Sequence, residues 1–294
     1  MKELITNAIE NFITYMEINL PDDVAARLDE MAENETEPMA KEIYGVMKLN
    51  IEKAKELGRP ICQDTGMIQV FARVGASFKY IEEIENIIIE ASRRASKNTP
   101  LRPNAIMPFT EKNTGDNIAV GAPFIEWEIV PGDKCELCFY MAGGGSSLPG
   151  KALVLMPSKG IKGIEQEVVN AVLERGVNAC PPLFVGVGIS ACADTAALLS
   201  KKALLRPINS ENKDDNAARF EHELFEKLNA LKIGPNALHG SESVLGVNVE
   251  IAAHHPATLA MGVSFGCWAT RRGSIIIGSD GTFESATHAG WRFR

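Results

Sequence analysis

Three of the six cysteines in this chain sit where a thiol is able to do chemistry. Cys62 opens Cys62-Gln63-Asp64-Thr65-Gly66, followed by an amide, a carboxylate, a hydroxyl and a glycine, where a structural thiol would have apolar neighbours. Cys180 lies in Asn178-Ala179-Cys180-Pro181-Pro182, and Cys267 in Phe265-Gly266-Cys267-Trp268. The proline after Cys180 favours extended backbone and removes a competing N–H. Loop cysteines far apart in sequence can meet at one iron–sulfur cluster. Three of them leave one iron without a protein ligand, open to act as a Lewis acid. Sequence-distant ligands carry no spacing code, so by the residues alone three unrelated buried thiols are an equal alternative.

The other cysteines read differently. Cys135 and Cys138 have the Cys-x-x-Cys spacing of a zinc or redox site. They fall in an expected strand, where residues three apart face opposite sides, and no second pair accompanies them. Metal chemistry is therefore not expected there. Cys192, among alanines at an expected helix start, reads as a small core thiol.

Several polar clusters accompany the cysteines. Arg102, in Leu101-Arg102-Pro103-Asn104, stands in an extended segment and can hold a carboxylate through two N–H bonds, although a lone arginine is most often a surface charge. Ala142-Gly143-Gly144-Gly145-Ser146-Ser147 follows an expected strand, and successive glycines let backbone N–H groups approach an anion. It lacks the lysine ending of a nucleotide-binding loop. Asn113 to Asn117 reads as a plain turn-rich loop. In His254-His255-Pro256, His254 reads as a satisfied core histidine and His255 as a polar contact or proton donor at a strand end. His239 has no assignment.

These residues need a scaffold, and 294 residues suffice for one with real cores. A hydrophobic fraction of 45% and a net charge of −8 describe an ordinary globular chain. The acidic balance argues against nucleic acid as a partner, which wants a basic face. No apolar run approaches the roughly 18 residues of a membrane span, and the N-terminus reads as an amphipathic helix rather than a signal peptide. A cytoplasmic protein is expected, its cysteines thiols or ligands rather than disulfides.

The first 58 residues read as three helices. Leu4, Ile5, Ala8, Ile9, Phe12, Ile13 and Met16 recur at helical spacing. Pro21 opens a second helix, and a third runs from Pro38 to Leu57. Beyond them the pattern predicts strands over Met67–Val74, Leu183–Ile189, Val244–Ala252, Leu259–Ser264 and Ser274–Ile277. Asn117–Val130 and Lys134–Met141 flank Pro131-Gly132-Asp133 as an expected hairpin. Helices are expected over Tyr80–Lys97, Lys162–Arg175, Ala191–Lys202 and Asp214–Leu231. The expectation is an α/β or α+β fold, a single domain over 1–294 with a helical N-terminal lobe over 1–58. The basic, aromatic end His288–Arg294 hints at docking onto another chain.

The pattern resembles one family. Pro60 to Gly66, Arg102-Pro103-Asn104, Gly143 to Ser147, Cys180-Pro181-Pro182 with Val185-Gly186-Val187-Gly188, and His254-His255-Pro256 leading to Cys267 are similar, in this order, to class I fumarate hydratases and the related L(+)-tartrate dehydratases. The resemblance implies a 4Fe-4S cluster on Cys62, Cys180 and Cys267. It implies a site in which Gln63, Arg102 and the backbone near Gly145 bind substrate, while Asp64 and His255 handle protons at the leaving hydroxyl. It implies the alpha subunit of a two-subunit enzyme, an α2β2 assembly in which the beta subunit supplies the group that moves the carbon-bound proton. The expected reaction is the reversible dehydration of (S)-malate to fumarate. The alternatives are L(+)-tartrate to oxaloacetate by the same chemistry, a non-catalytic iron–sulfur sensor or carrier, and a zinc protein using Cys135 and Cys138.

Overall fold

The computed structural model describes residues 1–293, and they form an α/β fold. In chain order the elements are α1 (Lys2–Ile18), α2 (Asp22–Asn34), α3 (Pro38–Leu57), β1 (Met67–Gly75), α4 (Ile84–Asn98), β2 (Phe124–Val130), β3 (Lys134–Ala142), α5 (Gly144–Ser147), β4 (Lys151–Leu155), α6 (Gly160–Arg175), β5 (Leu183–Ser190), α7 (Ala193–Ala203), α8 (Asp215–Asn229), β6 (Val244–Ile251), β7 (Leu259–Gly266), β8 (Arg272–Gly278) and β9 (Phe283–Ser285). Among the described residues no helix is long and apolar enough to cross a membrane.

The chain divides into two compact units. Unit 1 takes Met1–Asp22, Asn50–Gly143 and the residues from Arg271 on, and unit 2 takes Asp23–Leu49 and Gly144–Thr270. The helices expected over residues 1–58 are present, but they are shared between the units rather than gathered in a lobe of their own. The apolar stripe of α1 explains its place: Ile5, Ile9, Phe12, Ile13 and Met16 are buried in the core of unit 1.

Unit 1 is built on a five-stranded sheet in the order β2-β1-β3-β8-β9. β1 pairs in parallel with β2 and antiparallel with β3. The expected hairpin is therefore corrected: β2 and β3 do not pair with each other, because β1 lies between them. Pro131-Gly132-Asp133 crosses the end of β1, where a side chain at Gly75 would come within 2.4 Å of the Gly132 carbonyl. Residues 117–123 are loop rather than strand. The aromatic end of the chain also departs from expectation. Trp291 is buried against Phe12, ring centroids 5.1 Å apart, and its indole N–H donates to Asn11 Oδ1 at 2.8 Å. It docks onto its own first helix; Arg294 lies outside the described residues.

Unit 2 is built on a four-stranded sheet in the order β4-β7-β5-β6. β5 is buried along its whole length, so both faces must be covered. Val185 and Val187 share a core with Ile164 and Val168 of α6 and Leu224 and Leu228 of α8. The alternate residues face α7, which approaches so closely that a Cβ at Gly188 would lie 2.1 Å from the Ala196 carbonyl. β4 and β9 carried no usable signal in sequence, being short and half-exposed.

Candidate active site

In unit 1 two segments far apart in sequence are stitched together. The Arg102 N–H donates to Thr65 Oγ1 at 3.0 Å. The Asn104 side-chain amide donates to Asp64 Oδ1 at 3.2 Å and to the Gly66 carbonyl at 3.1 Å. Asp64 Oδ1 also accepts the Gly66 N–H at 3.1 Å, so two donors orient its carboxylate. Arg102 is exposed and its guanidinium makes no ion pair with any described residue. Gln63 is exposed, and Cys62 is half-buried. The segments that carry an oriented carboxylate, an amide, a thiol and a guanidinium are thus joined in unit 1.

Asn117 holds that arrangement and was missed in the sequence, where it read as part of a plain loop. It is buried at positive φ, +62°, and its Oδ1 accepts the Asn104 N–H at 2.6 Å. Its amide donates to the Arg102 carbonyl and to Ser96 Oγ, both at 3.1 Å. Only a small side chain with a donor and an acceptor serves there, which is why asparagine tolerates the left-handed backbone.

A second support comes from α1. Ile61, next to Cys62, donates its N–H to the Glu17 main-chain carbonyl at 2.9 Å, and its own carbonyl accepts from the Asn50 amide at 2.9 Å. Arg271 Nη2 donates to the Asp64 main-chain carbonyl at 2.7 Å. Arg271 Nε lies 3.3 Å from Glu17 Oε2, and both side chains are buried. Burial pushes the Glu17 carboxyl up to about 7, against the opposing pull of Arg271. An acid on the buried stripe of α1, four residues after Ile13, was the available signal.

In unit 2 the strand register gathers Gly145, Cys180 and Cys267. β5 and β7 are antiparallel with Phe184 opposite Gly266. The residues before β5 and after β7 therefore share one end of the sheet. The Trp268 N–H donates to the Cys180 carbonyl at 3.2 Å, closing that end. Cys180 follows the 3-10 turn Gly176–Asn178 at positive φ, +54°. Such backbone in a non-glycine residue costs on the order of 1–3 kcal/mol and collects at functional positions. β4 runs antiparallel to β7 with Lys151 opposite Val263, so α5 lies at the same end. A Cβ on Gly145 would be 3.5 Å from the Asn178 carbonyl, two residues before Cys180.

His255 does not join this group within one copy. It follows β6 and precedes β7, at the opposite end of the sheet from Cys267. The eight residues of β7, at about 3.3 Å each, separate the two by roughly 23 Å or more. The histidine loop instead adjoins the start of α7: Thr258 Oγ1 donates to the Ala191 carbonyl at 3.0 Å. His254 is exposed rather than buried in a core, because it lies in the exposed turn that follows the end of β6 at Ile251. Cys192 is likewise exposed, at the N-cap of α7, where the strand has already left the core.

Cys135 and Cys138 lie on opposite faces of β3, as their spacing requires. Burial pushes both thiols up to about 12, and from opposite faces of one strand they cannot converge on one ion. Cys62, Cys180 and Cys267 stand instead in loops, half-buried or exposed, and this donor set suits a thiolate-held cluster. Among the described residues no three His, Cys, Asp or Glu side chains gather as a single ion would need. A cluster gives each cysteine its own iron, so its ligands need not converge on one point.

Comparison with known proteins gives the family. A family model described as fumarate hydratase (fumerase) matches residues 6–276. The chain belongs to this hydro-lyase family. It is 46% identical over 285 residues to the L(+)-tartrate dehydratase subunit alpha of Escherichia coli O157:H7, covering 97% of this chain and 94% of that protein. The same identity and coverage hold for the subunit of that name in Shigella boydii serotype 4 (strain Sb227). The putative L(+)-tartrate dehydratase subunit alpha of Methanocaldococcus jannaschii is 36% identical over 276 residues, 91% of this chain and 95% of that one.

Proposed function

We propose that this chain is the alpha subunit of a cytoplasmic hydro-lyase that dehydrates a four-carbon 2-hydroxydicarboxylate, with L(+)-tartrate as substrate and oxaloacetate as product. The observation that carries the reading is the joining of Asp64 to the Arg102–Asn104 segment. It ties the main chain of Arg102, whose guanidinium can bind a carboxylate, to the loop of Asp64, whose carboxylate can move a proton. The names of the relatives support tartrate over malate, reversing the order expected from the sequence. Malate and fumarate remain the second reading because the matching family model is that of fumarate hydratase.

Dehydration needs a leaving hydroxyl and a departing C3 proton. A 4Fe-4S cluster on Cys62, Cys180 and Cys267 would supply Lewis acidity for the hydroxyl. Arg102 binds one substrate carboxylate through paired N–H bonds. Gln63 donates and accepts hydrogen bonds that orient the substrate, and backbone N–H groups near Gly145 add donors for an anionic oxygen. Asp64 moves the proton at the hydroxyl. The base for the carbon-bound proton is assigned to a beta subunit. In an α2β2 assembly, His255 would act in the site of a second copy, since Cys180 and Cys267 of its own copy lie at the other end of β7.

The test is anaerobic co-expression with the beta subunit, followed by assays with L(+)-tartrate and (S)-malate in parallel. Oxaloacetate from tartrate, lost in air and regained with ferrous iron and thiol, supports the first reading. Fumarate from malate alone moves the assignment to the second. No turnover of either by a cluster-loaded complex would sink both.

A further inference from the structure

Behind the Cys62–Gly66 loop stands a charged pair that the proposed chemistry does not use. Glu17, in the last turn of α1, is 0% exposed, and Arg271, just before β8, is 3% exposed. The carboxylate meets one side of the guanidinium at 3.3 Å, and the guanidinium meets the Asp64 carbonyl at 2.7 Å. The Glu17 main chain meanwhile accepts the Ile61 N–H at 2.9 Å. One residue of α1 therefore reaches both ends of the loop, directly at Ile61 and through Arg271 at Asp64.

Packing alone does not call for this pair. The rest of the buried stripe of α1 includes Ile9, Phe12, Ile13 and Met16, and apolar side chains of similar volume commonly match or exceed a buried ion pair in stability. What apolar side chains cannot do is donate to a carbonyl from a fixed direction. A guanidinium is a planar fork, and a carboxylate on one side of it restricts where the other side points.

We propose that Glu17 and Arg271 are positioning residues for the candidate site: Glu17 orients the Arg271 guanidinium toward the Asp64 carbonyl, and the two anchors set the placement of Cys62, Gln63 and Asp64 between them. The inference rests on the reading of this loop as the cluster and substrate loop.

The test uses the full chain with its beta subunit and two readouts. Glu17→Gln keeps the shape and the main-chain acceptor while removing the charge. Expected is faster amide hydrogen exchange across residues 62–66, by about 10-fold, with β1 exchange unchanged. Turnover should fall by about 10-fold with KM changed less than about 2-fold, since the loop is misplaced rather than its substrate contacts deleted. The double variant Glu17→Gln/Arg271→Gln should lose no more than Arg271→Gln alone, as expected when one residue acts through the other. A well-folded Glu17→Gln chain with wild-type exchange at 62–66, or additive losses, would overturn the proposal.

Should Glu17→Gln fail to fold, Glu17→Met/Arg271→Met replaces the pair by an apolar one. Recovery of the melting temperature with exchange at 62–66 still fast supports positioning. Recovery of both melting temperature and exchange protection overturns it. A wild-type complex inactive on tartrate and malate would count against the functional reading alone, because the exchange readout decides the loop's anchoring without turnover.

Discussion

The Trp268 N–H meets the Cys180 carbonyl at 3.2 Å, so the residue after Cys267 is tied to a cysteine that precedes it by most of unit 2. Cys180 itself lies in the left-handed region, at a φ of +54°. Glycine adopts this backbone without strain. Cys180→Gly should therefore stabilise the cluster-free chain by about 1 kcal/mol while abolishing iron retention. Cys180→Ser should lose iron equally and gain no stability. Thermal melts of the apo variants, with iron analysis after anaerobic reconstitution, check both statements.

Thiol reactivity should sort the cysteines by their surroundings. At pH 8 an alkylating reagent should label Cys180 and Cys192, which are exposed, and spare Cys135 and Cys138, whose thiols burial pushes up to about 12. Peptide mapping of the cluster-free chain reads this directly. Rapid labelling of Cys135 in the folded chain would contradict the buried strand position.

Asn117→Ala removes the acceptor for the Asn104 N–H and the donor to the Arg102 carbonyl. The part-buried main-chain groups left behind should cost about 1 kcal/mol each. KM for the dicarboxylate should rise more than kcat falls, because Arg102 loses its fixed origin. Chemical denaturation and steady-state kinetics of the complex measure the two effects.

Glu17 gives a pH dependence of defined sign. Burial raises its carboxyl from 4.5 to about 7. Between those values the folded chain keeps a proton that the unfolded chain has released. Its contribution to stability is thus largest below 4.5, declines as pH rises toward 7, and is constant above. Glu17→Gln should remove this decline, so the variant gains on the wild type between pH 5 and pH 7.5. Denaturant midpoints at those two values test it.

If His255 serves a second copy's site, inactive variants should complement each other. Co-expression of Cys180→Ser and His255→Ala alpha subunits leaves each mixed pair one site with both intact residues. Random pairing should restore about a quarter of wild-type turnover. Action of His255 within its own copy predicts none.

Much of the scaffold was legible because helical periodicity is a local property. The stripe Ile5–Ile9–Phe12–Ile13–Met16 marks α1 without reference to anything distant, and it is buried as expected. The strand order was not legible in the same way. Pro131-Gly132-Asp133 has turn composition whether its flanking strands pair or straddle a third, and the one clue was a glycine at the end of β1. The loop setting of Cys62, Cys180 and Cys267 was readable from their polar, glycine and proline neighbours. The separation of His255 from Cys267 was legible too, since the expected strand over Leu259–Ser264 stands between them, but the resemblance placed both in one site. Asn117 and Glu17 escaped because their roles lie in partners distant in sequence.

Unit 1 is discontinuous, and this has a consequence in time. Its sheet needs β8, and the loop at Cys62 needs Arg271, which follows Asp64 by 207 positions. Unit 2 has all four of its strands once Gly266 has been made. At about 5–20 residues per second, Arg271 leaves the ribosome roughly 10–40 s after Asp64. For the last part of that interval the nascent chain has the α1, Asn50 and Asn104 contacts of the Cys62 loop but not the Arg271 contact at the Asp64 carbonyl. If Cys62 holds iron as proposed, iron delivered during translation would meet a loop still lacking that contact.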